Sequence, residues 1–140
     1  MSNAIIYKLL LSVFLGSLLG IERKRKKKGA GLQTYSLVSL GTCLFTIVAL
    51  EMNTMFSGNF DILRIIQAVA IGIGFLGAGV IFQQSSGVIG LTTAAGLWVT
   101  SAVGVAIGVG LYSIAILTTA LSLVVFIGFG LLEAKFFKGD

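Results

Sequence analysis

Five carboxylates, Glu22, Glu51, Asp61, Glu133 and Asp140, carry all the acid–base and hard-cation chemistry open to this chain of 140 residues, which has one cysteine and no histidine. Without histidine, a Ser-His nucleophile, an imidazole metal cage and a histidine proton relay are excluded within one chain. The acids are scattered along the sequence, so paired-carboxylate catalysis has no obvious partners. A protein that is not an enzyme and needs no cofactor is therefore expected. Glu51 and Asp61 are the weak metal candidates, because they flank one loop and oxygen ligands suit a hydrated magnesium ion. The plainer reading, which we favour, makes them loop solubilisers, with Asp61 pairing Arg64 at a helix start. Cys43 lies in an apolar stretch and is expected to pack rather than react.

Glu22 and Arg23 close the first apolar segment, and six basic residues then run without a break: Arg23, Lys24, Arg25, Lys26, Lys27 and Lys28. A carboxylate beside six cations either balances local charge or meets a polar group on another helix, and both readings stay open. The net charge of +5 suggests nucleic acid until its location is considered. A basic block abutting an apolar segment instead sets topology and contacts anionic lipid headgroups, each such residue contributing ~1 kcal/mol. No nucleic-acid partner is expected. A cleavable signal peptide is also a poor fit, since the charge follows the apolar run rather than preceding it. Gly72-Ile-Gly-Phe-Leu-Gly77 matches the dinucleotide fingerprint in letters only, because no acid follows for the ribose between Arg64 and Glu133.

The elements that must position these residues are membrane helices. From Ile65 to Leu132 sixty-eight residues pass without a charge, twelve of them glycine, and a charge at a helix centre in lipid costs roughly 2.5–3.5 kcal/mol. Mean hydropathy is +1.05. The reading is one all-α integral membrane domain over residues 1–140 with five transmembrane helices at about 4–21, 32–50, 63–82, 91–109 and 111–132. The last two nearly touch and must be split by a turn around Gly108 to Gly110, since one helix would be twice the bilayer thickness. With the basic loop in the cytoplasm, the N-terminus lies outside and the C-terminus in the cytoplasm. Eight basic residues then face inward against two, Lys8 and Arg64, outward.

Small residues recur at four-residue steps on these helices: Gly16 and Gly20 after Ser12, Gly96, Thr100, Gly104 and Gly108 after Thr92, and on the third Ala70, Gly74 and Ala78 as well as Ala68 and Gly72, with Gly77 and Gly79 as further packing glycines. Such stripes let backbones approach in lipid. They are expected to pack the bundle or, in second place, a homodimer. Gln67 is a polar group that lipid penalises, so it is expected to face protein or a water pocket.

Four blocks together resemble the MgtC/SapB family membrane domain: Gly16-Ser-Leu-Leu-Gly-Ile-Glu-Arg23, Gly31-Leu-Gln-Thr-Tyr-Ser-Leu-Val-Ser-Leu-Gly41, Gly72-Ile-Gly-Phe-Leu-Gly-Ala-Gly-Val-Ile81 and Gly90-Leu-Thr-Thr-Ala-Ala-Gly-Leu-Trp98. The resemblance spans most of the chain and implies a five-helix domain of the bacterial inner (plasma) membrane. It implies adaptation to low magnesium or host stress, by regulating other membrane complexes, among them the F-type ATP synthase. The runner-up is a small magnesium or other cation transporter, with Glu22 at its inner mouth, Glu51 or Asp61 at the outer, and Gln67, Thr92, Thr93, Thr100, Ser101, Thr118 and Ser122 along a path. The chain departs from the family's usual Gly-Leu-Arg-Thr-His at Gln33 and Tyr35, so the charged and imidazole side chains of those positions are missing. Lys24 replaces a common second Glu, and Gln83 to Ser86 lack the usual basic residue. Longer members carry a soluble C-terminal domain, and this chain stops at Asp140, so it resembles the short branch or is a piece of a longer protein. The expected functional cluster gathers Glu22, Arg23, Thr34, Thr92 and Thr93 at the inner interface, with Gln67 as a further polar member. In it the helix start at Thr92 and Thr93 turns its free N–H groups toward Glu22.

Overall fold

The computed structural model describes residues 3–56, 61–85 and 87–136. Its elements in order are α1 (Asn3–Arg25), α2 (Leu32–Met55), α3 (Ile62–Gly79), β1 (Phe82–Gln84), β2 (Gly87–Ile89), α4 (Leu91–Val109) and α5 (Tyr112–Val124). A π-helical turn over Val125–Phe129 then leads into α6 (Gly130–Phe136). Among the described residues four stretches are long and apolar enough to cross a bilayer, Asn3–Arg25, Leu32–Met55, Leu91–Val109 and Tyr112–Phe136, while Leu63–Gly79 is shorter.

Helix ends depart from the sequence expectation in ways that matter for the site. The first helix continues past Ile21 to Arg25, which places Glu22 and Arg23 on a helix rather than in a loop. The third stops at Gly79 instead of Phe82. Gly77 and Gly79 are weak helix formers, and the chain beyond them finds backbone partners in an antiparallel hairpin, Phe82 opposite Ile89 and Gln84 opposite Gly87. The expected break between the last two long helices falls at Gly110, whose φ of 101° lies in the left-handed region. The N–H groups of Gly110 and Leu111 both return to the Ala106 carbonyl, closing α4.

Helix α4 is the hub, contacting α1, α2, α3 and α5. It can be so because its glycines face backbone. A Cβ at Gly108 would lie 2.6 Å from Thr46 Cβ and 2.9 Å from the Cys43 carbonyl oxygen, and one at Gly104 would strike Thr42 Oγ1 and the Ser39 carbonyl. On α1, a Cβ at Gly16 would lie 2.8 Å from the Tyr35 carbonyl oxygen. The third helix behaves differently. Gly72, Gly74 and Gly79 have open space around them, and only Gly77 touches a neighbour, with Ala94 Cβ 3.6 Å from its built Cβ. The α3 stripe expected to pack the bundle is turned outward, because α3 seats on α4 through Gly77 and the buried Ile73.

Two buried clusters mark the two poles. One gathers Leu19, Tyr35, Val38, Ile73, Leu97 and Phe126. The other holds Leu15, Cys43, Ile47, Val103, Ile107 and Ala115. At this second pole Lys8 is half-buried rather than free at an interface, and its Nζ donates to the Gly108 carbonyl at 2.8 Å. A cation there complements the negative end of α4. Tyr7 and Tyr112 meet edge to face at the same pole, ring centroids 5.6 Å apart.

Candidate functional site

The first pole carries the buried charge of the molecule. Gly20 lets the end of α1 close on the start of α2, a Cβ there falling 2.7 Å from Leu32 Cα. The chain then reverses through Lys27, whose φ is 52°, with Lys28 N–H donating to the Arg23 carbonyl at 3.1 Å. This tight exit buries Glu22 and Arg23, at 6% and 2% exposure. Two ionised groups leave water at a cost of several kcal/mol each, so they persist only with close partners.

The partners come from three elements. Arg23 Nε donates to Glu22 Oε2 in a charge-assisted bond. The Arg23 guanidinium also lies over the Phe126 ring, Cζ 3.8 Å from its centroid, a stacking that favours a desolvated cation. Lys26 Nζ stands 3.2 Å from Glu22 Oε1 and donates to the Phe126 carbonyl at 2.7 Å. Its bearing on Oε1 is off the hydrogen-bonding direction, and that buried oxygen is held by charge alone. Phe126 lies inside the π-helical turn, an interruption of the helical ladder of the kind that re-aims groups at functional sites. Its ring and its carbonyl both serve the charge cluster.

Tyr35 completes the arrangement from α2. It is fully buried and its hydroxyl donates to the Thr93 carbonyl at 3.2 Å. Gly96 makes room for it: a Cβ there would strike the Tyr35 hydroxyl and lie 2.6 Å from Phe126 Cζ. Tyr35→Phe is expected to lower stability by about 1 kcal/mol, the net worth of one neutral hydrogen bond, and Tyr35→Ala by about 3–5 kcal/mol through the cavity it leaves. Melting curves of the two variants in detergent check both values.

Of the expected cluster, the structure brings together Glu22, Arg23 and Thr93. Thr92 is exposed and joins Arg23 in lining the cleft beside the cluster. Thr34 is exposed, because it precedes Tyr35 on α2 and a one-residue offset turns it by about 100° around the helix, away from the buried face. Gln67 is likewise exposed on α3, away from the charges. Glu22 meets Arg23 and Lys26 instead of the N-terminus of α4. Asp61 accepts from Leu63 N–H at 3.0 Å as the cap of α3 and lies 3.6 Å from Arg64, both side chains well exposed. Glu51 is exposed on α2. Among the described residues no three acids, cysteines or histidines gather as a metal site. Lys24, Arg25, Lys27 and Lys28 are exposed, while Lys26 belongs to the cluster.

Tyr35, Lys26 and Phe126 are the members that sequence reasoning missed. Tyr35 had a signal, standing where the resembled family places an imidazole. Phe126 had none, being one of ten phenylalanines.

The MgtC family model matches residues 9–135. Protein SrpB of Synechococcus elongatus is 39% identical over 137 residues, covering 91% of this chain and 75% of its own. YhiD of Escherichia coli (strain K12), provisionally named as a magnesium transporter, is 37% identical and covers 89% of this chain and 60% of its own. Protein MgtC of Brucella abortus (strain 2308) is 43% identical over 105 residues, 75% of this chain and 42% of its own. The chain thus spans three quarters of SrpB but less than two thirds of YhiD and less than half of MgtC. No solved structure matches it.

Proposed function

As the chain belongs to the MgtC family, we propose that it is a five-span protein of the bacterial inner membrane that acts by docking on other membrane complexes. On this reading the Glu22 pole faces the cytoplasm and the N-terminus lies outside. The polybasic run at that pole supports the orientation. The 18 residues of α3 reach about 27 Å, close to the ~30 Å of a hydrocarbon core, which supports counting it as a span. Its end at Gly77 lies against Ala94 near the start of α4, so the helices alternate in direction.

The observation that carries a docking role is how the buried hydroxyls are engaged. Thr42, Thr46, Thr100 and Thr119 each donate to a carbonyl one turn back on their own helix. A path for a hydrated cation needs oxygens turned toward a shared lumen, whereas these face their own backbones in a closely packed core. Ala68 and Gly72 of α3 line an open apolar cleft of about 530 Å³ against α2, a small-residue surface of the kind another membrane helix approaches closely. Through the family likeness, the process served is adaptation to low magnesium or host stress.

The second reading is cation transport, favoured by the name that YhiD carries. Magnesium flux into sealed liposomes separates the two. Docking expects the folded protein to give no flux above that of empty liposomes; saturable magnesium entry would replace it with transport.

A further inference from the structure

Beside the charge cluster lies an open cleft of about 950 Å³ that combines basic and aromatic side chains. Arg23, Lys26 and Lys28 line it together with Phe126, Phe129 and the Glu133 carboxylate. Arg23 is engaged by Glu22 and Phe126, Lys26 keeps part of its side chain exposed while meeting Glu22 and the Phe126 carbonyl, and Lys28 is exposed. Phe129 is 57% exposed near the end of the last apolar stretch, continuous with the surface that lipid would cover.

We propose that this cleft binds one anionic phospholipid, its phosphodiester on Lys26 and Lys28 and an acyl chain along Phe126 and Phe129. Three features select this occupant. A soluble phosphate would use the lysines but leave the aromatic rings bare, while a zwitterionic lipid would bring its headgroup cation against the lysines that hold its phosphate. Counted with the Glu22 and Glu133 carboxylates, the three cations leave one net positive charge, which matches a headgroup whose net charge is a single negative one. The lysines also sit where the helix leaves the apolar region, the depth at which a headgroup phosphate lies when its chain runs beside the helix. The proposal rests on the membrane reading above but not on docking over transport, and lipid retention is read independently of ion flux.

The distinction from diffuse attraction by the basic run is testable, because Lys24 and Lys27 do not line the cleft. Native mass spectrometry of the detergent-solubilised chain, titrated with phosphatidylglycerol or phosphatidylcholine, counts the lipids retained. One phosphatidylglycerol per chain is expected, retained about tenfold or more over phosphatidylcholine given ~1 kcal/mol for each basic residue engaged. Lys26→Gln with Lys28→Gln is expected to abolish that preference, and Lys24→Gln with Lys27→Gln to keep it. Since Lys26 also braces Phe126, Lys28→Gln and Phe129→Ala serve as variants outside the buried cluster, each expected to weaken retention severalfold. Equal losses in the two double variants would make the attraction diffuse and overturn the site. Displacement by millimolar glycerol phosphate as readily as by phosphatidylglycerol would assign the cleft to a soluble anion and overturn the lipid.

Discussion

Replacing Gly104 with alanine is expected to cost about 3 kcal/mol, the upper end of what overpacking does in a filled interior, and Gly104→Leu to leave little folded protein. The added methyl has nowhere to go. It meets the Thr42 hydroxyl and, behind it, the backbone carbonyl of Ser39, and relieving a backbone contact requires moving α2 as a body. Gly74→Ala provides the comparison. Its Cβ enters open space, so the variant gains helix propensity worth up to ~1 kcal/mol and its melting temperature should hold or rise. Both variants can be compared by thermal unfolding in the same detergent. An equal response at the two positions would mean that α4 does not seat against α2 as described.

Arg23→Met is expected to destabilise by about 3 kcal/mol, because it strands the Glu22 carboxylate in a buried site with a single cation off its hydrogen-bonding direction. The second half of the prediction separates charge from packing. Met keeps an apolar stem against the Phe126 ring, so pairing it with Glu22→Gln removes the stranded charge while retaining most of the contact. The double variant should recover at least half of the loss, as buried pairs replaced together commonly do. Losses that simply add would show that Glu22 and Arg23 do not act as a pair.

The helical architecture was legible because lipid enforces it locally: a long run without charge, glycines at four-residue steps and a basic block at one edge are each consequences of the solvent around the chain. The break at Gly110 was legible for a similar reason, since no bilayer is thick enough for the alternative. The end of α3 was not. Its apolar run continues through Phe82, and only pairing with Val88 and Ile89 across the turn draws those residues out of the helix. The glycine stripes show the same limit. Spacing marked those on α3 and α4 alike, yet which stripe meets a backbone depends on how each helix is rotated about its axis, a property of the assembled bundle.

The charge cluster was half legible. Glu22 and Arg23 were conspicuous as ionised residues at the edge of an apolar segment, and Thr93 followed from its place at a helix start. Thr34 and Tyr35 are adjacent, and choosing between them needed the direction of α2 relative to α4. Phe126 and Lys26 lie a hundred positions apart, and the π-helical turn that joins them has no signature in composition.

That separation of a hundred positions has a temporal meaning. A ribosome adding roughly 5–20 residues each second needs about 5–20 s to pass from Lys26 to Phe126, and during that interval Glu22 and Arg23 have each other but neither the ring nor the carbonyl that later covers them. The α1–α2 pair must therefore wait at the membrane surface with a wet, half-finished charge pair. Arrival of the last helix is the event that dries it, so a nascent chain released before Phe126 would carry its strongest polar cluster open to water and to whatever binds there.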